Sequence, residues 1–97
     1  MGKKVDKIQD LMYQLDRVGR NGITGYEIDK IYVIVNESIK IISSLKKLDD
    51  NLKLEVLKDL NYVLVLISKR ENDVMDLIRQ STSPIISVLN FYGIEFY

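Results

Sequence analysis

The chain has 97 residues, 46% of them hydrophobic and 29% charged, and its 14 basic residues balance its 14 acidic residues. These values predict one soluble domain spanning residues 1–97, with enough apolar side chains for a single core. Because cysteine and histidine are both absent, the sequence excludes disulfides, a thiol nucleophile, and the most common general base and metal ligand. A net charge of zero argues mildly against a nucleic-acid-binding protein, although it is compatible with a local basic face.

Neither a membrane span nor an export signal is recognisable in the sequence. The longest apolar run, residues 62–67, is far shorter than the roughly 18 residues of a membrane-spanning helix. Lys3 and Lys4 are followed by acidic and amide residues where a signal peptide needs an apolar segment. We therefore expect a cytoplasmic protein without a transmembrane segment.

The first helix is predicted to end at Gly19. Apolar residues recur at every third or fourth position from residue 5 to residue 18, as they do along one side of an α-helix. A polar loop follows, with Asn21 and Gly22 as its turn signal. The glycines of this loop lack the preceding strand and the lysine-containing ending of a phosphate-binding loop, so they indicate a plain turn between helices.

A long second helix is predicted for residues 24–48, where apolar residues continue at helical spacing over about 36 Å. Its start is well marked. Thr24 as N-cap and Glu27 three residues later form a capping box, and Ile23 and Ile28 have the spacing of a hydrophobic staple.

A third helix is predicted to begin after residues 49–51, each of which is a good N-cap, and to continue to Ile67. Asn72 or Asp73 then caps a fourth helical segment. Polar residues close the third helix and separate it from the fourth. The sequence contains no repeat or low-complexity linker.

We expect the fourth helix to be broken near Ser83 and Pro84. Serine is a good N-cap, proline is favoured at the first helical position, and the residue before a proline is disfavoured within a helix. A last helix is predicted from Pro84 to Tyr92, and Gly93 would end it.

The resulting fold class is all-α: a compact antiparallel bundle of four main helices, with the last one broken. Residues 31–35 and 62–67 are rich in β-branched side chains, which favour strands, but each run lies within a longer helical period. Because both runs are apolar on several sides, we expect the second and third helices to form the central pair of the bundle. A homodimer interface is the other way of covering them.

We identify no catalytic, cofactor-binding or metal-binding residues. Asp49 and Asp50 are a candidate carboxylate pair, but helix capping explains both. We therefore expect a non-catalytic protein without a cofactor that acts by binding a macromolecular partner, most simply another protein, in an inhibitory or adaptor role.

The end of the chain concentrates half of its aromatic residues in Phe91, Tyr92, Phe96 and Tyr97. Aromatic residues are enriched at binding hot spots, so these four and Ile94 form the candidate partner-binding surface. In the alternative interpretation, the same segment folds back and closes the end of the bundle.

Residues 16–48 resemble helix-turn-helix and winged-helix regulators. Residues 22–28 are similar to the entry of their second helix, and residues 35–39 are similar to the start of a recognition helix. This resemblance implies DNA binding, with Asn36 capping a new helix. The residues that would face the DNA groove are Lys40, Ser43, Ser44 and Lys47. One unbroken helix is the alternative, since no glycine or proline marks a turn within residues 31–35.

The predicted architecture is also similar to that of the small cytosolic immunity proteins of lactic-acid-bacterial bacteriocins. These are antiparallel four-helix bundles of about this length, often with an aromatic C-terminal tail. The helix count, the loop positions and residues 91–97 carry this resemblance, and no individual residue role follows from it. It implies protection of a cell by binding.

Overall fold

Four α-helices make up most of the computed structural model, which describes residues 3–20, 26–69 and 73–95. They are α1 (Lys3–Arg20), α2 (Tyr26–Ser43), α3 (Asp50–Lys69) and α4 (Val74–Phe91). These helices form an antiparallel bundle around one hydrophobic core, so the predicted all-α class is confirmed. Each helix contributes a completely buried residue to that core: Leu15, Ile31, Leu60 and Leu89.

The central pair of the bundle is α2 and α4, and the prediction that it is α2 and α3 is wrong. Each of α1 and α3 packs close to both α2 and α4, and α2 also approaches α4 across the bundle. The backbones of α1 and α3 do not come close to each other within the described residues. Both central helices have a completely buried serine, Ser38 in α2 and Ser81 in α4. Side chains this small leave room for the helix on the far side of the core, since helix separation depends on side-chain size.

α2 ends at Ser43, five residues earlier than predicted. The hydroxyl groups of Ser43 and Ser44 donate hydrogen bonds to the carbonyl oxygens of Ile39 and Ile41, both at 2.7 Å. The Ser44 amide donates to the Ile41 carbonyl at 3.0 Å, and the Leu45 amide donates to the Ile42 carbonyl at 3.1 Å. These bonds span three residues instead of four, which tightens the last turn as the helix ends. Leu45 and Leu48 are still buried, but they pack on the core from the following loop.

The start of α2 tests only part of the predicted capping box, since Ile23 and Thr24 lie outside the described residues. Glu27 is 9% exposed, and Lys30 lies 3.6 Å from its carboxylate oxygen Oε2. That oxygen accepts no hydrogen bond from the described residues. Glu27 lies in the first turn of α2, where the helix dipole favours a carboxylate.

No helix-turn-helix exists in α2, because the helix is continuous through residues 31–36. Asn36 lies in the middle of α2 and caps no helix, so this part of the DNA-binding interpretation is wrong. The reason is the row formed by Ile31, Val35 and Ser38, all completely buried, which follows one side of a single straight helix. A turn within this row would remove part of it from the core.

α4 is continuous from Val74 to Phe91, so the predicted break near Ser83 and Pro84 is wrong. Proline cannot donate a backbone hydrogen bond, and the carbonyl of Gln80 loses its helical donor there. The helix nevertheless continues because one buried row, Leu77, Ser81, Pro84, Ile85 and Val88, crosses the proline without interruption. Burial of this row holds both halves of α4 against the same core.

Hydrogen bonds at the helix ends identify the capping residues. The Asp49 carboxylate accepts from the Leu52 amide at 3.0 Å, and the Asp73 carboxylate accepts from the Met75 amide at 2.9 Å. Aspartate is therefore the N-cap of both α3 and α4, as the sequence allowed. None of the described helices is long and apolar enough to cross a membrane.

Candidate functional site

A cleft with a basic rim opens at the end of the bundle where α1 begins and α2 and α4 end. It has a volume of about 630 Å³. The residues that line it are Lys3, Lys4, Val5, Ser44, Leu45, Lys46, Lys47 and Tyr92. We refer to it as the lysine cleft. The antiparallel topology creates it, since the start of α1 and the loop after α2 are far apart in sequence and adjacent in space.

The floor of the lysine cleft is apolar. Val5 and Leu45 are 3% and 6% exposed and belong to the core, and Tyr92 packs against that core while half-buried. Val5 and Leu45 expose little surface, so Tyr92 is the floor residue with the most accessible apolar surface. A ligand that fills the cleft therefore gains free energy by burying apolar groups of its own.

Tyr92 is positioned by a Schellman motif at the end of α4. The amide of Gly93 donates to the carbonyl of Asn90 at 3.0 Å, and the amide of Ile94 donates to the carbonyl of Leu89 at 2.9 Å. Gly93 has a φ of 81°, a left-handed conformation that favours glycine. The motif turns the chain after Tyr92 so that Ile94, like Tyr92, packs against the core.

The rim of the lysine cleft is basic and exposed. Lys4 donates to the carbonyl of Ser44 at 3.3 Å, which joins the start of α1 to the end of α2. Lys3, Lys46 and Lys47 form no ion pair with any described residue. Lys3 and Lys4 also lie in the first turn of α1, where the positive end of the helix dipole disfavours a cation.

No acidic residue is among the described residues that line the lysine cleft. Asp49 is close in sequence to Lys47, but its carboxylate caps α3 through the Leu52 amide. The positive charges on the rim therefore act together on a ligand, even though the whole chain has a net charge of zero. The geometry suits a ligand that is both anionic and apolar.

The structure divides the predicted partner-binding surface. Tyr92 and Ile94 pack on the core, whereas Phe91 is 45% exposed and meets Tyr92 edge-to-face with ring centroids 5.2 Å apart. Phe96 and Tyr97 lie outside the described residues. The described part of the segment therefore packs on one end of the bundle and supplies Tyr92 to the floor of the lysine cleft.

The four predicted DNA-contacting residues are all exposed, and DNA binding through them stays a prediction. Lys40 is exposed within α2, and Lys47 lies in the loop at the rim of the lysine cleft. The hydroxyl groups of Ser43 and Ser44 bond to the backbone of their own helix. Sequence reasoning missed the cleft itself, although its signal was visible as two adjacent pairs, Lys3 with Lys4 and Lys46 with Lys47.

Two other depressions lie along the sides of the bundle. One, of about 630 Å³, runs between α1 and α4 beside Met12, Met75 and Ile78. Its cation, Arg79, already pairs with Asp76. The other, of about 510 Å³, lies between α1 and α2. No group of metal-ligating side chains occurs among the described residues.

Comparison with known proteins adds no further constraint on the lysine cleft. No protein-family model, curated protein or solved structure significantly matches the chain. The resemblances to DNA-binding regulators and to immunity proteins gain no support from these comparisons. The geometry of the cleft is therefore the basis on which a function is proposed.

Proposed function

We propose that the protein is non-catalytic and acts by binding another protein through the lysine cleft. The observation that carries the proposal is the combination of four lysines with an apolar floor at one end of the bundle. This combination favours a partner segment in which aspartate or glutamate residues flank a large apolar side chain. The apolar side chain would occupy the floor, and the carboxylates would meet the rim.

Each part of this interaction has a separate physical effect. Burial of an apolar side chain against Tyr92, above the buried Val5 and Leu45, supplies affinity, since these groups are already ordered by the core. The exposed lysines contribute mainly to the association rate and to the choice of partner, because exposed charges are screened by salt. Binding is therefore expected to weaken with salt without disappearing.

Nucleic acid fits the lysine cleft less well than a protein segment does. A phosphate backbone meets the four lysines but brings no apolar side chain to the floor, and its affinity falls steeply with salt. The continuous α2 also removes the helix-turn-helix on which the DNA-binding interpretation rested. An immunity role is one form of protein binding, and both that role and the cytoplasmic location stay predictions.

Fluorescence anisotropy with labelled short peptides tests the proposal. We expect binding of a peptide rich in aspartate, glutamate, leucine and phenylalanine, and weak binding when glutamine replaces its acidic residues. The variant Lys46→Glu, Lys47→Glu should weaken binding of the acidic peptide by about tenfold or more. Chemical-shift changes should be centred on Val5, Leu45 and Tyr92.

The matched control is the variant Arg17→Glu, Lys40→Glu, which makes the same change in net charge at exposed positions outside the lysine cleft. It should bind the acidic peptide like the unaltered protein. Equal loss in both variants would mean that only net charge matters and would count against a defined site. Tight binding of duplex DNA that is lost with Lys40→Glu would instead favour the DNA-binding alternative.

A further inference from the structure

The outward side of α3 carries apolar residues that the core does not use. Leu54, Tyr62 and Val65 are 68%, 56% and 48% exposed. Leu60 and Val63 of the same helix are completely buried and satisfy its contact with the bundle. A single exposed leucine is ordinary, and three large apolar side chains on the outward side of one helix make that side a candidate contact surface.

Six exposed residues form a row along this side of α3, at the spacing of three and four residues that aligns side chains on a helix. The outer row is Asp50, Leu54, Lys58, Asn61, Val65 and Lys69. The steps between its residues are four, four, three, four and four positions. The row is therefore symmetric about the midpoint between Asp59 and Leu60. Tyr62 lies beside the row.

We propose that a second copy of the chain docks on the outer row through its own α3, with the two helices antiparallel. A two-fold axis through the midpoint of the row relates the copies. Leu54 of one copy then meets Val65 of the other, and Asp50 meets Lys69. Each of these contacts occurs twice, as two-fold symmetry requires.

Charge complementarity identifies the occupant as a second copy. α3 has an acidic residue, Asp50, in its first turn and a basic residue, Lys69, in its last turn. Antiparallel docking brings opposite charges together at both ends of the interface and aligns the helix dipoles favourably. Parallel docking would instead place like charges together at each end.

The centre of the interface is also self-complementary. The side-chain amide of Asn61 donates to the carbonyl of Leu57 at 2.8 Å, which leaves its own oxygen as an acceptor. Lys58 of the second copy falls opposite Asn61 and can donate to that oxygen. Tyr62, beside the row, offers an aromatic face to the same lysine.

The surface is one helix wide, so we expect a weak dimer that forms at micromolar or higher concentration. Sedimentation equilibrium over micromolar to millimolar concentrations should show a reversible monomer–dimer equilibrium. Leu54→Glu should weaken dimerisation by about tenfold or more, and Val65→Glu should do the same. Because both positions are exposed, each variant should keep the circular dichroism spectrum of the unaltered protein.

Val33→Glu is the matched control, since Val33 is 58% exposed but belongs to α2. It should leave the dimerisation constant unchanged. A strictly monomeric protein at millimolar concentration would overturn the proposal. Equal weakening by Val33→Glu and Leu54→Glu would also overturn it, since the dimer would then not depend on α3.

A charge-exchange experiment tests the antiparallel arrangement. Asp50→Lys alone and Lys69→Glu alone should each dimerise poorly, because the antiparallel contacts then bring like charges together. A mixture of the two variants should dimerise again as a heterodimer, in which opposite charges meet at both ends. Failure of the mixture to recover dimerisation would overturn the arrangement.

The absence of cysteine from the chain permits a second test of direction. Under oxidising conditions, a mixture of Leu54→Cys and Val65→Cys should form mixed disulfides faster than either variant links to itself. Fast self-linking of Leu54→Cys would instead indicate parallel helices and contradict the proposal. These tests involve no residue of the lysine cleft, so their outcome is independent of the proposed function.

Discussion

α1 and α3 occupy opposite corners of the bundle, and their backbones do not come close to each other within the described residues. Each buries an apolar row against α2 and α4, but their outward sides differ. On α1 the outward side carries one large aromatic residue, Tyr13, which is 53% exposed, among polar residues, and Gln14 donates to Asp10 at 3.0 Å there. On α3 the outward side carries Leu54, Tyr62 and Val65. Packing on the core accounts for the inward row of each helix, whereas the exposed Leu54, Tyr62 and Val65 of α3 are not used by the core.

The largest change in stability is expected when a buried leucine is shortened in α1 or in α3. This change tests whether both helices pack equally well on the core. Leu15 in α1 and Leu60 in α3 are both completely buried. Leu15→Ala and Leu60→Ala should each lower the free energy of unfolding by about 2–5 kcal/mol, because each leaves a cavity in the shared core. Urea denaturation measures both values. A loss below about 1 kcal/mol in one variant would place that helix outside the common core.

An intermediate effect is expected at the start of α3. Asp49→Ala removes the side chain that accepts from the Leu52 amide and should lower the free energy of unfolding by about 1 kcal/mol. Asp49→Asn is the control and should retain most of the stability, because asparagine also caps helices well. If both variants lost the same amount, the charge of Asp49 rather than its capping bond would be responsible.

The smallest effect on stability is expected at the outward sides, where the comparison between α1 and α3 is sharpest. Leu54→Ala and Gln14→Leu should each change the free energy of unfolding by less than about 0.5 kcal/mol in dilute solution. At high concentration, Leu54→Ala should reduce self-association and Gln14→Leu should leave it unchanged. Sedimentation of both variants at matched concentrations makes this measurement.

The sequence predicts the fold class because helical periodicity, caps and turn residues agree along most of the chain. It fails at the end of α2, where Leu45 and Leu48 extend the apolar period but pack on the core from a loop. It also fails at Pro84, since local preference for a break is overridden by the burial of residues on both sides of the proline. In both places tertiary packing decides where the helix ends or continues, and the spacing of apolar residues in the sequence does not contain that information.

The candidate site is less accessible to sequence reasoning than the fold. Tyr92 and Ile94 were identified from the aromatic composition of the C-terminal segment, and Tyr92 does line the lysine cleft. Lys3 and Lys46 were not identified, because the topology of α1 and α2 is needed to bring them together. The floor residues were missed for the same reason, since a buried valine or leucine is read first as core.

Pro84 interrupts the backbone hydrogen bonds of α4 although the helix itself is continuous. With no amide hydrogen at this position, one link of the backbone hydrogen-bond ladder is missing, and the two halves of α4 share one fewer restraint. The half after Pro84 contains Ile85, Val88 and Leu89, all completely buried, and leads to Tyr92. Amide exchange should therefore divide α4 into two units of different protection, with the slower one next to the lysine cleft. Opening that begins at Asp73 is therefore expected to reach the residues before Pro84 more often than Tyr92 on the floor of the cleft.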